Sequence, residues 1–555
     1  MTLPRAPMRA ALLGALFAAL VTLPGLGGGT LWDNSETAYG EVAREIVLSH
    51  DWVVMQLNGT PWFVQPPLYF WIGALFAKLF GVCAFAFRLP SALATIFMGG
   101  AVGYATARIA GTRSGIAAAI VLSTSLMQAI VGRLAIMDAL LDLFIAAAIL
   151  WWYRALEPAR GPDALEAGKR STAFLLGSSA IGLGILAKGP VAPVLVALVV
   201  GGWLLWETRA GRRVVYPQFA TAAGGLAVIF AIAVPWFVLL ATRVGGHAIF
   251  ELIGHYTIGR YTGVIENQRG AWWYYVPVLI LGFFPWIAFL PVGFVRAAQR
   301  AQRDGGSFAR LAVAWAVLPI VFFSFAQTKL PNYIALEFSA LAIIVALWFD
   351  QIESGEDRLA ATVSAAVVPL TVGCIAFAVA VFSQNNKLPI AAVAPQLITL
   401  AAGMIVGSIA TVIVIARPAW RAAAPYVLGI TSLVLVLFIA FVAEPAAEAF
   451  KPIPHFAQII EADRKPGDVV AIRGVSGFNA LVFYTEPGVK NVDADDPQSL
   501  VSTICPSGTV YLVTSTRDLD AVRAQVAALQ RTVTVLDSLP RQALVRIAGP
   551  DCPHD

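Results

Sequence analysis

Carboxylates and cations recur in this chain at the edges of its apolar runs. Asp33 and Glu36 fall within Asp33-Asn34-Ser35-Glu36-Thr37-Ala38-Tyr39, and Asp138 and Asp142 stand four apart, on one helix face, shortly after Arg133. Lys188-Gly189-Pro190 separates two apolar runs. His255, Arg260, Glu266 and Arg269 share a long polar stretch, and Lys329-Leu330-Pro331-Asn332-Tyr333 makes a turn into a further run. A carboxylate in a partly desolvated cavity has its pKa raised toward the range of a general base, which makes Asp33, Glu36 and Asp138 the candidates for that role. Lys188, Arg260 and Lys329 can supply fixed positive charge where a leaving group becomes negative, the arginine as a fork and the lysines as point charges. An open, oxygen-rich site for a divalent metal could draw on Asp33, Glu36 and His255. No HExxH, paired CxxC or phosphate-binding glycine loop is present.

Each feature also has a plainer reading. Asp33 could cap a helix with Glu36 as its capping-box partner. Lys188, Arg243 and Lys329 could snorkel from helix ends, and Trp272-Trp273-Tyr274-Tyr275 could form an interfacial belt. His255 could be a surface histidine. Against these stands the cost of a charge at membrane depth, about 2.5 to 3.5 kcal/mol on insertion scales, which several unused charges would multiply.

The elements that must position these residues are membrane helices. Of the 555 residues 58% are apolar and 13% charged, and mean hydropathy is +0.75, more than a soluble core requires. Apolar runs at 10–28, 87–108, 114–131, 136–153, 172–188, 190–206, 218–242, 272–295, 311–326, 332–349, 361–383, 392–416 and 424–443 predict about thirteen transmembrane helices. The first follows Arg5 and Arg9 and reads as a retained helix. Basic residues gather in alternate loops, such as Arg108/Arg113, Arg209/Arg212/Arg213 and Arg296/Arg300/Arg303, which predicts a cytoplasmic N-terminus and an extracytoplasmic tail. The net charge of +5 reflects that loop bias and implies no nucleic acid partner. The predicted fold class is thus an all-α polytopic membrane domain, 1–444, followed by a small α/β extracytoplasmic domain, 445–555. Strand-length runs begin at Asp468, Thr509 and Ala543, and a helical stretch runs from Asp518 to Leu529. Cys505 and Cys552 fall in this tail and could pair in an oxidising compartment. An outer segment over 29–86 is longer than a connector needs and carries an amphipathic pattern from Glu41 onward.

Asp33-x-Ser-Glu36-x-x-Tyr39-x-Glu41, Phe63-x-x-Pro66-Pro67-Leu68, Arg88-Leu89-Pro90-Ser91, Leu186-Ala187-Lys188-Gly189-Pro190 and Lys329-Leu330-Pro331-x-Tyr333, in this order, resemble the ArnT-like (aminoarabinose transferase-like) branch of the bacterial protein O-mannosyltransferase superfamily. The motifs span most of residues 10–350. The resemblance implies a GT-C glycosyltransferase of the bacterial inner membrane. Such an enzyme takes a pentose or hexose from a polyprenyl-phosphate carrier, undecaprenyl phosphate, and gives it to a lipid such as lipid A or to another envelope glycan on the periplasmic face. The chemistry of such a transfer makes Lys188, Arg260 and Lys329, with Tyr333, the candidate contacts of the donor phosphate, Asp33, Glu36 and Asp138 the candidate catalytic carboxylates, and Glu36 with His255 the candidate ligands of any divalent metal. Two positions depart from the branch: Ser35-Glu36 stands where Asp-Glu is frequent, and Val64-Gln65 precedes Pro66-Pro67-Leu68 where Glu-Lys is frequent. Asp33 is positioned to replace the first of these carboxylates. The competing class is a polytopic transporter or lipid flippase, which should show an internal repeat and ionisable residues at mid-span; the polar residues here cluster instead at one membrane face.

Overall fold

The computed structural model describes residues 5–550 except 33, 158–165, 213, 384–393, 449, 486 and 540. Asp33 therefore lies outside the described residues, as does Cys552. The chain divides into two compact units. The larger holds Met1–Gly27, Phe63–Ile72 and Arg88–Ala443, and the smaller holds Gly28–Trp62, Gly73–Phe87 and Glu444–Asp555.

The larger unit is helical. Its first part comprises α1 (Arg5–Thr22), while α2 (Ser35–Ser49) and α3 (Leu68–Phe80) belong to the segment 29–86, and α4 (Ala84–Ala110), α5 (Thr112–Thr124), α6 (Leu126–Val131), α7 (Asp138–Leu156), α8 (Ala167–Lys188), α9 (Val191–Arg209) and α10 (Phe219–Val244) follow. Among the described residues ten helices are long and apolar enough to cross a membrane, or eleven if the pair Tyr275–Gly282 and Trp286–Gln302, bent by 105°, forms one span. Two of the thirteen predicted runs differ from single straight helices for local reasons. The run at 114–131 is interrupted at Ser125, whose backbone is extended (φ −65°, ψ 133°), leaving helices of 13 and 6 residues. The run at 272–295 is the bent pair. The run at 361–383 keeps its place, inside the continuous 26-residue helix Arg358–Ser383.

Buried cations tie this unit together. The Arg133 guanidinium, 8% exposed, donates to the carbonyls of Thr22 (2.9 Å) and Pro24 (2.7 Å), satisfying the end of α1. Arg88, 1% exposed, donates to Leu26 O at 3.2 Å. Arg310 forms a two-pronged pair with Glu207 (2.7 and 2.9 Å), and Trp203 Nε1 donates to the same carboxylate at 3.1 Å. All three residues are almost wholly buried, and such a pair is stable inside a protein only when its remaining donors and acceptors are satisfied.

In the smaller unit α2 packs on the helix Phe478–Tyr484. Gly40 permits that approach, since a Cβ there would lie 2.9 Å from Leu31 and 3.1 Å from Phe483. A short hairpin of β1 (Gln56–Leu57) and β2 (Thr60–Pro61) follows α2. The tail forms a five-stranded sheet of β3 (Val469–Arg473), β4 (Lys490–Val492), β5 (Val510–Ser515), β6 (Thr532–Leu539) and β7 (Gln542–Ala548), ordered β4-β3-β5-β7-β6. β3 is parallel to both β4 and β5, and β7 is antiparallel to β5 and β6. The three predicted strands are β3, β5 and β7, and the predicted helix is Leu519–Ala528. Alternate residues of each strand enter two apolar layers, one with Phe456 and Leu481, the other with Leu500 and Val522. Cys505 is disulfide-bonded.

Candidate active site

Lys188 closes α8, and Gly189, at φ +79°, turns the chain into α9. That left-handed backbone favours glycine, and it leaves the lysine at a helix end with its ammonium directed at α7. There Lys188 Nζ pairs with Asp138 Oδ1, the first residue of α7, with the two side chains 16% and 6% exposed. The same ammonium lies 5.4 Å from the centre of the Tyr333 ring. Three sequence-predicted residues from distant parts of the chain therefore meet: Asp138, Lys188 and Tyr333.

The neighbouring motifs meet at the same turn. A Cβ added to Gly189 would lie 3.7 Å from Thr257 Oγ1 and 3.9 Å from Pro66 Cγ, so the Pro-Pro-Leu element and the helical stretch Phe250–Gly259 both pack against it. Phe63 meets His247 edge to face at 5.9 Å. His255, on Phe250–Gly259, packs its ring against Tyr256 at 4.8 Å. Arg260 follows directly, its guanidinium bonded to Glu266 (3.0 Å) and Gln268 (3.3 Å).

The loop carrying Arg260 is stitched to the loop carrying Lys329. Thr328 N donates to Arg260 O (3.0 Å), Lys329 N to Gln268 O (2.9 Å), and Thr328 Oγ1 to Gly263 O (2.8 Å). Lys329 itself is turned inward. Its ammonium donates to the carbonyls of Phe323 (3.3 Å), Ser324 (2.7 Å) and Ala326 (2.6 Å), at the end of the helix Ser307–Phe325. These bonds use all three ammonium donors, and burial holds its pKa below the ordinary lysine value.

Glu36 sits in the other unit. It is 2% exposed and accepts from Trp32 N at 2.9 Å, the reach-back bond of a helix start, while the N-cap position is taken by Asn34. Two residues of the same helix have stronger environments. Glu41, wholly buried, is paired with Arg44 (2.7 and 2.8 Å), yet burial outweighs that partner and pushes its pKa up to about 7. Glu45 accepts from Gly59 N at 3.1 Å. No group of three or more His, Cys, Asp or Glu side chains among the described residues is arranged to hold a metal ion, and the two ligands named from the sequence, Glu36 and His255, fall in different units.

Sequence reasoning passed over Glu337. It stands wholly buried in the helical stretch Pro331–Glu337, and neither carboxylate oxygen has a hydrogen-bond partner; one oxygen of Asp142 is in the same condition. The signal was available, since Glu337 is an ionisable residue inside an otherwise apolar run.

A family model described as dolichyl-phosphate-mannose-protein mannosyltransferase matches residues 64–239. An undecaprenyl phosphate-alpha-4-amino-4-deoxy-L-arabinose arabinosyl transferase of Edwardsiella ictaluri is 31% identical over 366 residues, covering 65% of this chain and 62% of that protein. The transferase of the same name from Erwinia tasmaniensis is 30% identical over 340 residues, 61% of this chain and 59% of that one. The matched region thus spans about three-fifths of these relatives' length. ArnT from Cupriavidus metallidurans, solved bound to undecaprenyl phosphate, superposes with a TM-score of 0.75 over 97% of this chain and 99% of that one, at 22% identity. This chain has the fold of ArnT. The likeness in fold runs nearly end to end, through the membrane helices and the α/β tail, whereas the sequence match to the Edwardsiella ictaluri transferase covers 65% of this chain.

Proposed function

We propose that this chain is an integral membrane glycosyltransferase that moves a sugar from a polyprenyl-phosphate carrier to a lipid or other envelope acceptor. Residues 1–444 form the transferase domain on this reading, and residues 445–555 lie on the periplasmic side with the N-terminus cytoplasmic. The observation that carries it is the meeting of Asp138, Lys188 and Tyr333 beside the Pro-Pro-Leu element and the Arg260 loop. The relatives' names direct the choice of donor to an undecaprenyl-phosphate pentose bearing an amine.

Breaking the bond between the anomeric carbon and the carrier's phosphate oxygen leaves negative charge on that phosphate. Lys188 and Arg260 are the cations suited to receive it, and each is held by a carboxylate, Asp138 and Glu266 respectively. A bound phosphate would share or displace those partners, which keeps both cations oriented without leaving either unpaired. Tyr333 offers a ring face to Lys188 and a hydroxyl to the donor. The acceptor proton, where the acceptor is a hydroxyl, goes to a carboxylate: Asp138 within this cluster, or Asp33 on the strength of the motif alone. A phosphate acceptor needs orientation only.

The test is transfer by the purified protein in lipid, given undecaprenyl-phosphate aminoarabinose and lipid A, with the product read as a mass increment. Appearance of the increment, and its loss in Lys188→Met, supports the reading. An unchanged acceptor with every polyprenyl-phosphate pentose or hexose offered would overturn it.

A further inference from the structure

The α/β domain carries a second polar site of its own. β3 and β5 lie side by side and parallel, but the chain leaves β3 into the helix Phe478–Tyr484 on one face of the sheet and leaves β5 into Leu519–Ala528 on the other. Connections that part in this way open a crevice beyond the carboxyl ends of the two strands, the place where open α/β sheets take ligands. Arg473 ends β3 there, and Thr514 of β5 stands beside it in register. Both side chains are buried, at 6% and 0% exposure. Arg473 makes one hydrogen bond, to Ala494 O at 3.0 Å; its Nε and the Thr514 hydroxyl have no partner. A buried guanidinium so poorly satisfied is costly unless an anion completes it.

Three loops converge on that point. A Cβ on Gly474 would lie 3.3 Å from Ala494 Cβ, in the loop after β4, and 3.5 Å from Asp518 Oδ2, in the loop after β5. The helices Pro497–Ile504 and Leu519–Ala528 both begin from these loops, the first capped by Asp496, which accepts from Gln498 N at 2.9 Å. Asp493 and Asp495 stand exposed at the rim. Carboxylates at the rim repel a bare phosphate but accept hydrogen bonds from hydroxyls. We infer that the crevice beside Arg473 and Thr514 binds a sugar phosphate, with the phosphate at the guanidinium and the sugar hydroxyls at the rim aspartates. The sugar phosphate is either a free metabolite or the headgroup of a phosphorylated glycolipid.

The experiment is ligand-observed 31P NMR on the full-length protein in detergent, with glucose 1-phosphate, inorganic phosphate and micelle-embedded diphosphoryl lipid A as probes. Glucose 1-phosphate or the glycolipid should bind at least tenfold more tightly than inorganic phosphate. Binding should fall at least tenfold in Arg473→Met, in Thr514→Val and in the rim variant Asp495→Ala, and hold in the charge control Arg546→Gln. Binding of the free sugar phosphate identifies a soluble ligand, and binding of the glycolipid alone identifies a headgroup. Neither probe binding, or inorganic phosphate matching both, would overturn the inference. So would binding that survives Arg473→Met and Thr514→Val, or binding lost in Lys188→Met, which would assign it to the transferase site instead.

Discussion

At the scale of single residues, the two lysines that the motifs place in parallel roles are separated by what their ammonium groups touch. Both lie over an aromatic ring, but Lys188 meets a carboxylate where Lys329 meets three backbone carbonyls. Lys188→Met is expected to cut turnover by roughly two orders of magnitude or more, as for loss of a transition-state charge partner. Lys329→Met should instead lower thermal stability, by about 1.5 to 3 kcal/mol for lost charged hydrogen bonds, with a smaller effect on turnover. Steady-state kinetics alongside a melting curve separates the two, and equal losses of turnover would return Lys329 to the donor phosphate. Asp33 and Glu36 divide in the same way. Glu36→Gln keeps an acceptor for Trp32 N and should change stability by at most about 1 kcal/mol. If Asp33 is the base, Asp33→Asn should reduce turnover by roughly a hundredfold or more. Glu41 adds a pH dependence. Its pKa is raised from about 4.5 to about 7 by burial, so the folded state holds the proton more tightly. The stability it contributes is present below about pH 4.5 and is lost as pH rises through about 7. The melting midpoint should therefore drop between pH 5 and 8, and Glu41→Gln should flatten that slope; an unchanged slope would show that Arg44 keeps the carboxylate charged.

Among the elements, the turn between α8 and α9 has most to do with placing chemistry. Gly189 has room for a methyl group but not the backbone for one. Gly189→Ala should cost about 1 to 2 kcal/mol from the left-handed conformation, and the relaxation should displace Lys188 from Asp138. A rise in KM for the donor with little change in expression is the expected signature; wild-type kinetics would show that the pair tolerates a shifted turn. Elements also show where sequence reading succeeds. Long apolar runs such as α8, α9 and α10 were legible because hydropathy and length alone specify them. The break at Ser125 was not, because one extended residue in an apolar run leaves no mark on composition. β4 has three residues and β6 is only partly buried along its length, so neither carries the continuous apolar run that reveals β3 and β5. At the site, the motifs point to Lys188 and Tyr333 and the cost of a charge at membrane depth points to Asp138, but only packing shows that Lys329 turns inward. Glu337 was hidden by its apolar neighbours.

At the scale of the whole molecule, the arrangement of basic loops makes a prediction about sidedness. A reporter active only outside the cytoplasm should give signal when fused after Ala446 and none when fused near Arg303. The reverse pattern would place Lys188 and Asp138 on the side opposite to the one proposed. The smaller unit also has an unusual composition, since its residues come from both ends of the chain. Lys451 donates to Thr30 O at 2.8 Å and to Glu448 at 2.6 Å, and its ammonium lies 3.8 Å from the centre of the Trp32 ring. Tyr484 accepts from Leu31 N at 2.7 Å.

That latch joins residues 421 positions apart, and its consequence is one of timing. At roughly 5 to 20 residues per second, translation needs on the order of 20 to 80 seconds to travel from one half of the latch to the other. During that interval α2 has left the ribosome, but the helix it packs on has not been made, and the face of α2 around Gly40 and Arg44 that meets Phe483 has no partner. The nascent protein must wait in that state, so its yield depends on how well the cell shelters an early segment until a late one arrives.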